Sequence, residues 1–128
     1  MPMTQVVPDE DRAGGLAVAA CLFRGFGDPS RLGILRHLAL GEHRVVDLTA
    51  HLGLAQSTVS EHLACLRDCG LVQVRAVGRS SVYSLAHPDT TAMLLAAAEQ
   101  LLRDTGEAVA LCDNFGTHTQ TNDEETNR

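Results

Sequence analysis

The chain has 128 residues, 45% of them hydrophobic, which is enough for one compact domain with a single core and too little for two independent ones. No run of about 18 apolar residues occurs, and Met1 to Arg12 lack the basic-then-apolar pattern of a signal peptide, so the sequence reads as cytoplasmic with no membrane partner. The net charge of −6 opposes binding to phosphate only as an average: residues 30–86 hold six Arg against four acidic residues, whereas residues 87–128 hold two Arg against eight.

Residues 1–13 are polar, with two prolines and Asp9-Glu10-Asp11, and read as a flexible N-terminal arm. A folded domain is expected over residues 14–112. Leu16, Ala17, Ala20, Cys21, Phe23 and Arg24 form a mostly apolar first helix, which Gly25-Phe26-Gly27 is expected to interrupt. Asp28-Pro29 opens a second helix, since Asp caps free amide groups and Pro is tolerated at the first helical position. Leu32, Ile34, Leu35, Leu38 and Leu40 are its expected buried side. A third helix spans about Arg44 to Leu52 and ends at Gly53.

The next helix runs from about Gln56 to Asp68, with Val59, Leu63 and Leu66 inward. A short helix, a glycine and a helix carrying hydroxyls, an amide and an imidazole on its first turns have the layout of a helix-turn-helix DNA reader. Val72, Val74 and Ala76 then alternate with polar residues, Gly78 turns the chain, and Ser80 to Leu85 resume an extended pattern. That hairpin reads as a wing carrying Arg75 and Arg79 toward the DNA backbone. His87-Pro88-Asp89 starts a last, Ala/Leu-rich helix expected to reach Leu111. Residues 113–128, rich in Asn, Thr and acids, read as a disordered acidic tail. The fold class is therefore mostly α with a β-hairpin wing.

Four cysteines in a reducing cytosol are better explained as thiols, ligands or redox sensors than as structural disulfides. Cys65 and Cys69 stand one helical turn apart on the reading helix, close enough to share a soft ion, although each could also be a small buried residue. Cys21, inside Ala19-Ala20-Cys21-Leu22-Phe23, reads as packing. His37, His43, His51 and His87 show no ligand spacing and read as surface or partly buried side chains, and His118 reads as a solvated tail residue.

These elements, in this order, resemble the ArsR/SmtB family of metal-responsive bacterial repressors. The resemblance covers about Leu22 to Leu85. It rests on Phe26-Gly27-Asp28-Pro29-Ser30-Arg31-Leu32, Val46-Asp47-Leu48, Gln56-Ser57-Thr58-Val59-Ser60-Glu61-His62-Leu63, Leu66-Arg67-Asp68-Cys69-Gly70-Leu71-Val72, and Gly78-Arg79 before Val82-Tyr83. It implies a winged helix-turn-helix homodimer joined through its first and last helices, bound to double-stranded operator DNA until an inducer weakens the complex. DNA contacts then fall to Gln56, Ser57, Thr58, Ser60, Glu61, His62, Arg75 and Arg79.

The family's third-helix sensor site is absent, because Val45-Val46 precede Asp47-Leu48 where cysteines would stand. Its last-helix zinc site is absent too, for lack of His between Asp89 and Leu111. Cys65 and Cys69 with Cys112 resemble instead the set used by the cadmium- and lead-sensing CmtR branch. Three thiolates favour Cd²⁺ or Pb²⁺ as inducer, with zinc or arsenite as further possibilities and no organic cofactor. A redox-sensing repressor with a Cys65–Cys69 disulfide and a ligand-independent DNA-binding protein are the alternatives. An enzyme is not expected, since Cys65 with His62 has no orienting third group or oxyanion site. Two departures from the family pattern stand out: Ala55 replaces the usual capping Ser, and Glu61 brings a carboxylate near the groove.

Overall fold

The computed structural model describes residues 9–108, 110 and 111. Cys112, His118 and the 113–128 tail lie outside the described residues, as do residues 1–8 of the expected arm. The elements are α1 (Asp9–Phe26), α2 (Pro29–Ala39), β1 (His43–Arg44), α3 (Val45–Leu52), α4 (Gln56–Asp68), β2 (Val72–Val77), β3 (Ser80–Leu85) and α5 (Pro88–Asp104).

The helix starts follow from capping chemistry. The Asp28 carboxylate accepts from the amides of Ser30 and Arg31 at 2.9 and 3.1 Å, with Pro29 in the first turn of α2. Asp47 accepts from the Arg44 amide at 3.0 Å and so fixes the entry to α3. Gly53, at φ 69°, adopts the left-handed conformation that ends α3 and turns the chain into α4.

One core lies where α2, α3 and α4 meet the hairpin. Ile34, Leu35, Leu48, Val59, Leu63 and Leu66 are wholly buried, joined by Leu38, Leu71, Val72 and Leu85. The three-stranded antiparallel sheet has the order β1-β3-β2, with Val72 opposite Leu85, Val77 opposite Ser80, and His43 opposite Tyr83.

The structure corrects the reading in four places. The first helix starts at Asp9, inside the expected arm, and ends at Phe26, within the Gly25-Phe26-Gly27 stretch expected to interrupt it. Gly25 is needed for approach: a Cβ on it would stand 3.0 Å from Leu71 Cδ1 and 3.6 Å from Cys69 Sγ. Leu40 is exposed, not core, because α2 ends at Ala39. The last helix stops at Asp104 rather than Leu111, just before Gly106 at φ 95°. Strand β1 was not expected; two residues carry too little pattern to be legible.

Candidate DNA-reading surface and thiol site

Burial of Val59, Leu63 and Leu66 fixes the rotation of α4 and leaves Gln56, Ser57, Ser60 and Glu61 exposed, with Thr58 half-buried. Ala55 precedes them without a side-chain cap, so the first-turn amides of α4 gain no partner from that residue. His62 is placed differently from these residues. Its ring is 18% exposed and lies between Nδ1···Nη1 of Arg31 at 3.5 Å and Nε2···Oδ2 of Asp28 at 3.7 Å. Arg31 in turn donates to the carbonyls of Arg24 at 2.7 Å and Gly25 at 3.3 Å. His62 thus joins a polar node tying the end of α1 and the start of α2 to α4. The Arg31 and Ser30 amides, with His62 and Arg31 nearby, hold the Asp28 carboxyl below the usual carboxylate range.

On the wing, Arg79 is exposed beside Gly78 at the tip. Arg75 is also exposed, but Glu42 grips it through two bonds of 2.8 Å from Nε and Nη2. This bidentate pair lowers the Glu42 carboxyl and raises the Arg75 guanidinium, through the hydrogen bond first. Part of the positive charge expected for DNA is therefore neutralised within the chain. Sequence reading missed Glu42 because it lies 33 positions from Arg75.

The thiols converge at the end of α4. Cys69 caps that helix, its amide bonded to the Cys65 carbonyl at 3.1 Å, so the two cysteines occupy successive turns. Across from them, Cys21 of α1 places its sulfur 3.3 Å from that of Cys69, whose thiol donates to the Cys21 carbonyl at 3.0 Å. Burial pushes the Cys69 thiol up to about 11, helped by the facing thiols of Cys21 and, less, Cys65. The expectation that Cys21 only packs misses this contact, which joins residues 48 positions apart. Sequence offered one faint signal, a glycine one turn after Cys21. Among the described residues no three donor groups already surround a point where an ion would sit, so ligation requires thiol rotation or an additional donor.

Residues 28–74 match the family model described as "Bacterial regulatory protein, arsR family". The chain is 36% identical over 110 residues to the "Probable mercury resistance operon repressor" of Streptomyces lividans, covering 78% of this chain and 87% of that protein. It belongs to the arsR family. Like the family's other winged helix-turn-helix members it is a DNA-binding transcriptional regulator and not an enzyme. It is also 49% identical over 67 residues to the regulator CmtR of Mycobacterium tuberculosis, a match spanning 52% of this chain and 57% of that protein. The solution structure of that cadmium sensor superposes with a TM-score of 0.52 at 41% identity, over 62% of this chain and 85% of that chain. The homodimeric winged helix-turn-helix domain Mb0332 of Mycobacterium bovis superposes with a TM-score of 0.65 at 28% identity, over 78% of this chain and 91% of that one.

Proposed function

We propose that this family member is a metal-responsive repressor that releases operator DNA when a thiophilic ion binds at the end of its recognition helix. The observation that carries the reading is the pair Cys65 and Cys69 on the last turns of α4, with Cys21 of α1 3.3 Å from Cys69. Sulfur donors select soft ions over Mg²⁺ or Mn²⁺, and the names of the relatives, a mercury resistance repressor and a cadmium sensor, point to the same class. Cd²⁺ or Pb²⁺ is the proposed inducer. Mercury is the second reading, favoured by the relative in Streptomyces lividans. Cys112 follows Leu111, whose amide is bonded to the buried Glu99 of α5, and is proposed as the third thiol.

Operator contact is assigned to Gln56, Ser57, Thr58, Ser60 and Glu61 on α4 and to Arg79 on the wing, with His62 acting through the Asp28–Arg31 node. Exposed Leu16, Val18 and Phe23 on α1, and Met93 and Leu101 on α5, are apolar surface that a second copy would bury, which supports a homodimer. No helix of the described residues is long and apolar enough to cross a membrane, consistent with the proposed cytoplasmic location.

Titration of the reduced protein with Cd²⁺, Pb²⁺, Hg²⁺, Zn²⁺ and arsenite, recording sulfur-to-metal charge-transfer absorption in wild type and each Cys→Ser variant, tests the site. Operator duplex selected from a random pool supplies the release assay. Undiminished Cd²⁺ binding by the Cys65→Ser, Cys69→Ser double variant would remove the proposed site.

A further inference from the structure

Three imidazoles meet on elements that carry none of the thiols. His37 lies in the last turn of α2, His43 in β1 and His51 in the last turn of α3. Their ring centroids are 4.9 Å apart for His37–His51, 5.6 Å for His43–His51 and 6.0 Å for His37–His43. Gly41, at φ 146°, turns the chain back after α2 and brings His43 toward His37. Sequence spacing hides this triangle, because the three residues share neither a helix face nor a strand face.

The spacing has a chemical meaning. With metal–nitrogen bonds of about 2.0–2.1 Å and tetrahedral angles, three imidazoles around one ion have centroids about 5 Å apart. The observed triangle is only slightly wider. His43 Nδ1 lies 2.8 Å from the Gly41 carbonyl oxygen, a bond that places the proton on Nδ1 and leaves the Nε2 lone pair available. Such a backbone carbonyl is the usual outer partner of a metal-bound histidine. The rings do not yet aim at one point, since His37 and His51 stack with planes 12° apart. As they stand, the described residues hold no three donors around one point, so binding one ion would require these rings to turn edge-on about their side-chain torsions.

We propose that His37, His43 and His51 form a second cation site, built of imidazole alone, for a borderline divalent ion such as Zn²⁺, Co²⁺, Ni²⁺ or Cu²⁺. Burial and the neighbouring His51, His43 and Arg36 hold His37 toward its neutral form, the form that ligates. Three protein nitrogens leave a fourth tetrahedral position for water. An ion here would clamp the end of α2 and β1 to α3, the first helix of the helix-turn-helix, independently of the sulfur site on α1 and α4.

Co²⁺ separates the two sites, because sulfur ligation adds a near-ultraviolet charge-transfer band that nitrogen ligation lacks. The full-length chain and its Cys65→Ser, Cys69→Ser double variant are titrated with Co²⁺ by visible absorption, with histidine ring resonances followed by NMR. The expected result is one Co²⁺ per chain in the double variant, with visible bands, no sulfur band, and joint perturbation of the His37, His43 and His51 resonances. His51→Gln, at an exposed position whose loss spares the core, should weaken this binding by about tenfold or more. His43→Gln should do the same. Absence of Co²⁺ binding in the double variant, or binding unchanged by both His→Gln substitutions, would overturn the proposal. Neither result touches the thiol reading, whose signature is the Cd²⁺–sulfur band of the wild type.

Discussion

The Cys69 thiol donates to the Cys21 carbonyl at 3.0 Å and rests 3.3 Å from the Cys21 sulfur, so the end of the DNA-reading helix is latched to α1. The approach is close because Gly25, one turn farther along α1, admits Leu71 and Cys69 against bare backbone. In the protonated state this is a weak contact between two soft groups. An ion bound at Cys69, as proposed, would exchange it for metal–sulfur bonds and so act on the packing of α4 against α1.

Cys21→Ser is therefore expected to weaken Cd²⁺ binding by about tenfold, the scale on which groups supporting a metal ligand act. Operator affinity without metal should change by less than about twofold, because Cys21 lies on α1 and not on the reading face. Competition against a chromophoric chelator, beside fluorescence anisotropy with operator duplex, measures both. Unaltered Cd²⁺ affinity would return Cys21 to a packing role.

On the DNA surface, charge and hydroxyls should separate. Arg79→Ala is expected to weaken binding to all sequences alike and to reduce the salt slope by about one, as loss of a phosphate contact does. Ser57→Ala or Thr58→Ala should mainly lower the preference for operator over random DNA. Glu42→Gln should strengthen non-specific binding, because it releases the Arg75 guanidinium now held by two 2.8 Å bonds. Binding isotherms at three or more salt concentrations distinguish these outcomes.

The helix that carries this surface is legible in the sequence. Helix α4 has the expected bounds, Gln56–Asp68, because three apolar residues at helical spacing and glycines on both sides admit little else. The capping roles of Asp28 and Asp47 give a physical reason for two of the motifs that carried the family resemblance. What could not be read was contact between elements. Cys21 with Cys69, Arg75 with Glu42, and the triangle of His37, His43 and His51 all depend on how helices and strands pack, and no local period encodes that. The placement of His62 is hidden for the same reason: Asp28 and Arg31 at the start of α2, more than thirty positions away, draw its ring in.

Acid should destabilise the fold in a defined window. Asp28 and Asp47 are held below their ordinary value of 3.8, chiefly by backbone amides, so the unfolded chain takes up protons there before the folded one does. Their contribution is complete above the unfolded value and is lost as pH falls through the folded values. Stability should therefore drop progressively below about pH 4–5. Asp28→Asn keeps a capping side chain but cannot ionise, and should flatten that fall. Urea unfolding between pH 3 and 7 at fixed protein concentration measures it; identical slopes for wild type and Asp28→Asn would show that the cap's charge is immaterial.

If metal binding and DNA release share α4, each must weaken the other by the same factor. The two reading helices of a dimer must keep a spacing of about 34 Å to enter successive major grooves, so both half-sites cannot absorb a shift in their relative setting. Ligation at Cys65 and Cys69, replacing the contact with Cys21, is the proposed source of such a shift. Coupling of about 1–3 kcal/mol is typical between two sites on one protein and corresponds to a change in affinity of about 5–150-fold. Reciprocity then requires Cd²⁺ affinity to fall by that factor when operator duplex is saturating. Chelator competition with and without duplex reads one side of the cycle, and operator titration with and without Cd²⁺ reads the other. Equal Cd²⁺ affinities in the two conditions would mean that the protein binds the ion without being regulated by it.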